Sequence, residues 1–101
     1  MDLEDARLLV ESRINEGRPN DSGDRLIVLS ERTLSKPYGW VFFANSERFI
    51  ATNDFDYCII GLGPIVVFHD GTINPLPTGD SAEVEIARFE KLINREGSPE
   101  P

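Results

Sequence analysis

The apolar positions of the chain are densest over residues 38–44, around its single tryptophan. Side chains alternate between the two faces of a strand, so Trp40 and Phe42 leave one face while Val41 and Phe43 leave the other. Because both faces carry large apolar side chains, the pattern predicts a central strand that is covered on both sides. The turn signal Lys-Pro-Tyr-Gly at 36–39 leads into this strand.

The start of the chain predicts an amphipathic helix over residues 2–16. Asp2 can accept hydrogen bonds from its first turn, and Gly17 after its end can adopt the left-handed conformation. A polar loop over 18–24 follows. The apolar stripe of the predicted helix consists of Leu3, Ala6, Leu9, Val10 and Ile14.

The middle of the chain predicts short strands joined by turns, with Asp70-Gly71 as a two-residue hairpin turn because both positions tolerate a positive φ. A turn at 44–47 leads out of the central strand, and a constrained Gly-Pro bend lies at 61–64. Residues 57–60 fit either a short strand or a buried connection. The other predicted strands cover 25–34, 48–52, 65–69 and 72–74.

The end of the chain predicts a second helix that begins at Asp80, with Asp80 and Glu83 in a capping-box arrangement. Gly97 can close this helix, and 98–101 is expected to be a flexible tail. Short links between sequential strands favour antiparallel pairing. The expected fold is therefore α+β: one domain over 1–97, with an antiparallel meander of about four to six strands and both helices on one face. The core stripe of the second predicted helix, the one that begins at Asp80, consists of Ala82, Ile86, Phe89 and Ile93.

The composition narrows the possible partners. A formal net charge of −8 argues against binding to a nucleic-acid backbone or an anionic membrane, and favours association with a basic protein. The single cysteine, Cys58, suits a reducing compartment. The acidic start has no apolar signal segment and no apolar run approaches about 20 residues, so a cytoplasmic location is expected.

Candidate catalytic residues are few. Cys58 and His69 could form a nucleophile and base, with Asp70 or Asp54 orienting the imidazole. The alternative is that Cys58 is a small apolar residue and that His69 merely ends a strand. One histidine and one cysteine are too few ligands for a structural zinc site, so neither a metal nor a cofactor is expected.

A stretch without lysine or arginine separates Arg48 from Arg88 and is rich in carboxylates. It can be an ordinary solvated surface or an acidic face for a basic groove on another protein. Aromatic residues next to acidic ones suit an interface, although they could equally pack beneath a loop. The candidate contacts on predicted loops and turns are Asp54, Phe55, Asp56, Tyr57, Asp70 and, after these, His69.

Two segments give the chain its family resemblance. The Tyr-Gly-Trp-Val-Phe-Phe strand at 38–43 is followed by Gly-Leu-Gly-Pro-Ile-Val-Val at 61–67 and by the Asp-Gly turn at 70–71. In this order and spacing they resemble the immunity protein 35 family over nearly the whole chain. Leu62 stands where such proteins often carry a polar residue. The shared residues are structural, so no binding residue can be transferred.

The resemblance implies a bacterial cytoplasmic antitoxin that neutralises a cognate protein toxin, in a family similar to small heat-shock chaperones. Our hypothesis is a non-enzymatic inhibitor whose acidic face enters or covers a basic groove of the toxin. The alternative hypotheses are a chaperone or general protein-binding module and a thiol enzyme built on Cys58. An uncovered sheet face could also be the binding surface, and the oligomeric state is left open.

Overall fold

The computed structural model describes residues 1–17, 25–59 and 62–96. The helices are α1 (Leu3–Ile14), α2 (Glu47–Thr52) and α3 (Ala82–Glu96), with 3-10 turns at Ser30–Arg32 and Phe55–Tyr57. The strands are β1 (Leu26–Val28), β2 (Leu34–Lys36), β3 (Gly39–Phe42), β4 (Ala44–Ser46), β5 (Ile65–Phe68) and β6 (Ile73–Pro75). The predicted loop at 18–24, the positions 60 and 61, the closing Gly97 and the tail 98–101 lie outside the described residues.

The central strand is β3, as the apolar pattern predicted. It lies inside a four-stranded antiparallel sheet of order β2-β3-β5-β6, and each of its residues is buried. Phe42 is paired with Ile65 and Gly39 with Phe68. The predicted α+β class and antiparallel pairing are confirmed, although the strands form two sheets and not one continuous meander.

The two long helices cover opposite faces of the four-stranded sheet. Ala6 and Val10 of α1 pack in one cluster with Trp40, whereas Ile86 of α3 packs in another with Val41. The expectation that both helices lie on one face is therefore wrong. Val41 is fully buried, so leaving its face open would expose apolar surface worth about 25 cal/mol per Å² to water. Neither face of β3 is available as an open binding surface.

The small sheet pairs β1 with β4, and α1 covers the free edge of β1. Asn15 donates to the Leu26 carbonyl over 2.9 Å and accepts from the Leu26 amide over 2.8 Å. The buried Glu11 carboxylate accepts from the Val28 amide over 2.9 Å and contacts Arg7 and Arg25. Two side chains of a helix thus replace a neighbouring strand and protect the edge from other chains.

The predicted strand over 25–34 is only partly correct. Its regular pairing ends at Val28, and the Leu29 amide makes one further bond to the Phe43 carbonyl over 2.7 Å. The chain then turns through Ser30–Arg32, where the Thr33 amide donates to the Ser30 carbonyl over 3.2 Å. This turn redirects the chain from the small sheet into β2 of the large one.

The predicted strand over 48–52 is wrong, because these residues belong to α2. Ser46 is the N-cap, accepting from the Phe49 amide over 3.0 Å, and Asn53 ends the helix in the left-handed conformation at φ 59°. A cap at each end outweighs the strand propensity of Phe49 and Ile50. Residues 57–59 are not a strand, and Cys58 is part of a half-buried connection.

The β5–β6 hairpin is present, but its loop contains three residues and not two. The Phe68 amide donates to the Thr72 carbonyl over 2.9 Å, which closes the loop over His69, Asp70 and Gly71. Only Gly71 has a positive φ, of 93°. This arrangement of a turn followed by a left-handed glycine is the common three-residue hairpin.

The N-terminal cap of α1 agrees with the prediction, whereas the N-terminal cap of α3 differs from it. Asp2 caps α1 and forms a capping box with Asp5, and Gly17 has a φ of 80°, as expected. In α3, Ser81 and not Asp80 accepts from the Val84 amide, over 3.3 Å. The predicted Asp80 cap is wrong by one residue.

Candidate protein-binding site

Cys58 and His69, the pair considered as nucleophile and base, do not come together. The Cys58 thiol contacts the Asn45 amide nitrogen at 3.6 Å, beyond the end of β3. The His69 imidazole Nε2 lies 3.0 Å from the Pro37 carbonyl and packs against Trp40, before the start of β3. These two side chains occupy opposite ends of the strand.

Metal and membrane sites are not found among the described residues. Within ranges 1–17, 25–59 and 62–96, no cluster of histidine, cysteine or carboxylate side chains could hold a metal ion. No helix in the same ranges is long and apolar enough to cross a bilayer.

The most exposed aromatic residue among those described is Phe55, whose side chain is 76% exposed. It lies within an uninterrupted run of exposed residues, 50–57, at the end of α2. Phe55 therefore does not pack beneath the loop. We call residues 54–57 the Phe55 turn. An exposed aromatic ring between two aspartates combines apolar contact area with negative charge.

Two side chains of β4 fix the Phe55 turn to the sheet. The Ser46 hydroxyl donates to the Tyr57 carbonyl over 2.7 Å while it accepts from the Phe49 amide over 3.0 Å. Asn45 accepts from the Ile59 amide over 2.8 Å and donates to the Ile59 carbonyl over 3.3 Å. A single strand thus fixes α2 and the segment that follows the turn.

The turn is also ordered by its own contacts. The Asp54 carboxylate accepts from the Asp56 amide over 3.0 Å and caps the 3-10 turn. The Phe55 ring lies 5.5 Å from the Phe49 ring, and the Arg48 guanidinium lies 5.0 Å from the centre of the Tyr57 ring. Aromatic and cation–π contacts of this kind each contribute about 0.5–1.5 kcal/mol, so the turn is preorganised before any partner binds.

His69 and Asp70 form a second group, away from the Phe55 turn. The Asp70 carboxylate accepts from the Thr72 hydroxyl over 2.7 Å and from the Thr72 amide over 2.9 Å. These hydrogen bonds, the hydroxyl bond first, lower the pKa of Asp70 below its ordinary value. The structure therefore does not bring all six predicted contact residues together: Asp54, Phe55, Asp56 and Tyr57 share one turn, whereas His69 and Asp70 belong to the hairpin at the other end of β3.

Other carboxylates of the acidic stretch are engaged within the chain. Arg88 donates to Asp80 over 3.0 Å and to the buried Glu85 over 3.1 Å. These contacts raise the pKa of Arg88, with the hydrogen bond to Asp80 as the largest cause. The stretch without basic residues is therefore not one continuous acidic face.

Comparison with known proteins gives one family. The family model described as Immunity protein 35 matches residues 4–90 of the chain. The chain belongs to the immunity protein 35 family. The match includes all of α1 except Leu3, both sheets, the Phe55 turn and most of α3. Neither the curated proteins nor the solved structures compared with the chain give a significant match.

The two edge strands of the large sheet, β2 and β6, present few free backbone groups to which a strand of another protein could bind. In β6, Asn74 is paired with Val66, so its backbone amide and carbonyl point toward β5. The backbone groups that point to the open edge therefore belong to Ile73 and Pro75. Pro75 has no amide to donate. The other edge, β2, is only three residues long and ends at Lys36. Surface side chains are thus better placed than strand edges to bind another protein.

Sequence reasoning missed the residues that support the turn. The sequence pattern predicts a turn at Asn45 and Ser46 and the start of a strand at Arg48. The signal was present as a Ser N-cap before Glu47, with an Asn at the position where the helix ends.

Proposed function

We propose that the chain is a bacterial cytoplasmic immunity protein that binds and occludes a cognate protein toxin without itself acting as an enzyme. The Phe55 turn is the main contact. The observation that carries this assignment is the 76% exposure of Phe55 on a backbone that Asn45 and Ser46 hold to β4. Membership of the immunity protein 35 family supplies the class of partner.

The chemistry of the turn suits a basic groove on the toxin. Interface energy is concentrated in a few aromatic anchors that fill pockets, and Phe55 has the area and the exposure for that role. Asp54 and Asp56 on either side of the ring attract a basic surface during encounter, and the overall charge of −8 acts in the same direction. Because the turn is already ordered, little conformational entropy is lost when it docks.

His69 and Asp70 are assigned to a secondary contact. Their side chains are exposed, but the Asp70 carboxylate already binds Thr72 and the His69 ring lies against Pro37 and Trp40. A toxin large enough to cover both ends of β3 would contact them at the rim of the interface. Rim charges affect association rate more than affinity.

The proposal is tested with the Phe55→Ala variant and Leu92→Ala as its matched control, since Leu92 is 48% exposed on α3. Each is co-expressed with the product of the adjacent gene, and the complexes are measured by native mass spectrometry and by survival of toxin-expressing cells. We expect a one-to-one complex that weakens with salt, a loss of about 30-fold or more in affinity with Phe55→Ala, and no loss with Leu92→Ala. Equal affinity of the two variants would refute the assignment of the turn, and absence of a wild-type complex would refute the immunity function.

The chaperone hypothesis gives a different result in a simple assay. The exposed large apolar side chains include Leu8 on α1, Leu34 on β2 and Val84 on α3, so they are distributed over several elements. A general chaperone would suppress the thermal aggregation of unrelated proteins, whereas we expect this immunity protein to leave their aggregation unchanged.

A further inference from the structure

A groove lies between the sheet and the first turn of α3, separate from the residues of the Phe55 turn. It has two adjoining parts, with volumes of about 490 and about 220 Å³, that share Arg32, Phe43 and Ala82. Leu34 and Ile86 extend the apolar floor formed by Phe43. We call this the Phe43 groove.

The floor of the groove already carries a cation. The Arg32 guanidinium lies 4.7 Å from the centre of the Phe43 ring, and the Arg32 side chain is exposed. The ring face is thus accessible from solvent to a planar cation, and the contact is of a strength, about 0.5–1 kcal/mol at an exposed site, that a competing cation can replace.

The rim of the groove has an excess of negative charge. Among the described residues, Glu31, Asp80 and Glu83 line it, against one cation, Arg32. Asp80 binds Arg88, but within the described part of the chain neither Glu31 nor Glu83 forms an ion pair. Carboxylates around an apolar floor match a long cationic side chain, whose alkyl stem packs on the floor while its charged end reaches the rim.

The groove and the Phe55 turn are linked through β4 and the segment that follows the turn. The Phe43 carbonyl accepts from the Leu29 amide and so extends the pairing of β1 with β4 by one residue. Phe43 and Asn45 are two residues apart in this extended segment, so their side chains point to the same face. Asn45 binds Ile59, just after the turn, and the chain resumes along the groove at Leu62 and Pro64. A partner seated on the turn can therefore reach the groove.

We propose that the Phe43 groove is a second docking point for the toxin and takes an arginine or lysine side chain from it. This inference rests on the proposed immunity function. The stem of the toxin side chain packs on Leu34 and Ile86, and its charged end lies between Glu31 and Glu83 and displaces Arg32 from Phe43.

The first test uses butylguanidinium as a probe, with butanol as an uncharged control, in an NMR titration of the full chain. We expect butylguanidinium, and not butanol, to shift the resonances of Phe43, Leu34 and Ala82. The Glu31→Gln/Glu83→Gln variant should weaken probe binding about fivefold, since each exposed carboxylate contributes about 0.5 kcal/mol. A Glu4→Gln/Glu16→Gln variant, which we call the α1 variant, removes the same charge from α1 and the turn that follows it, and should bind the probe like the wild type. Shifts spread evenly over the acidic surface would overturn the proposal.

The second test measures the toxin complex with the same two double variants. We expect about a fivefold loss of affinity for the groove variant and none for the α1 variant. If Phe55→Ala weakens the complex but the groove variant does not, the groove assignment fails while the immunity function stands. If the wild-type chain forms no complex, the immunity function fails and the groove loses its proposed partner.

Discussion

Replacing Ser46 by alanine should loosen the attachment of the Phe55 turn and α2 to the sheet, while Asn45 still holds Ile59. The Ser46 side chain is 3% exposed and makes two hydrogen bonds, from the Phe49 amide over 3.0 Å and to the Tyr57 carbonyl over 2.7 Å. Loss of an N-cap costs about 1 kcal/mol, and loss of a buried hydrogen bond costs about 1 kcal/mol more. We therefore expect Ser46→Ala to lower the free energy of unfolding by about 2 kcal/mol.

The measurement is urea unfolding followed by tryptophan fluorescence, since Trp40 is buried in the core beneath α1. An unchanged m-value with a lower midpoint would show a loss of stability without a change in the surface exposed on unfolding. The control is Ser81→Ala, which removes only the exposed cap bond to Val84, of 3.3 Å, and should cost about 1 kcal/mol or less.

Hydrogen exchange separates the two roles of Ser46. If the hydroxyl fixes the turn, the amides of Tyr57 and Cys58, which bond to Asp54 and Phe55, should exchange faster in Ser46→Ala. A loss below about 0.5 kcal/mol together with unchanged exchange would contradict the anchoring role.

Two further predictions concern the core and its pH dependence. Gly39→Ala should destabilise the fold by about 3 kcal/mol or more in urea unfolding. The reason is that Gly39 has a φ of 153° and that an added Cβ would overlap the Val67 carbonyl. A loss of stability under about 1 kcal/mol would show that β3 and β5 can separate without cost. The Tyr38 hydroxyl donates to the Glu90 carboxylate over 2.7 Å. Burial, and after it the hydrogen bond to Glu90, raises the pKa of Tyr38 above 10.0. The same hydrogen bond lowers the pKa of Glu90 below 4.5. The stability that Glu90 contributes is therefore present above pH 4.5 and is lost as pH falls through the lowered pKa of Glu90. The stability that Tyr38 contributes is present below pH 10.0 and is lost as pH rises toward the raised pKa of Tyr38. Tyr38→Phe should flatten both limbs of a plot of unfolding free energy against pH, and an unchanged plot would contradict the coupling.

The core strand could be predicted because its pattern is local. Alternation of large apolar side chains from Trp40 to Phe43 indicates a strand buried on two faces wherever it lies. The side on which each helix packs is not local information. Ile86 and Val10 both belong to apolar stripes, and only the three-dimensional path of the chain sends them to opposite faces of β3.

The site could be predicted in part for a related reason. An aromatic residue between two aspartates predicted an exposed interface or a buried loop, and the choice depended on the conformation of the preceding residues. Residues 48–52 were expected to form a strand, which would have placed Phe55 differently from the helix capped by Ser46. Charge distribution and placement on predicted loops and turns put His69 and Asp70 in one group with the Phe55 turn, and the register of β3 with β5 separates them from it.

Residues of the core and residues that hold the proposed contact follow one another between positions 39 and 46. Residues 39–42 are buried and form the centre of both cores, whereas Asn45 and Ser46, a few residues later, hold the exposed turn. Phe55 contributes little buried area to the fold, so its replacement should alter affinity much more than stability. Ser46 is the reverse case, because its hydroxyl joins two backbone segments. If the Phe55 turn is the toxin contact that we propose, a fold arranged in this way can change the chemistry of Phe55 and its neighbours without losing the scaffold that presents them.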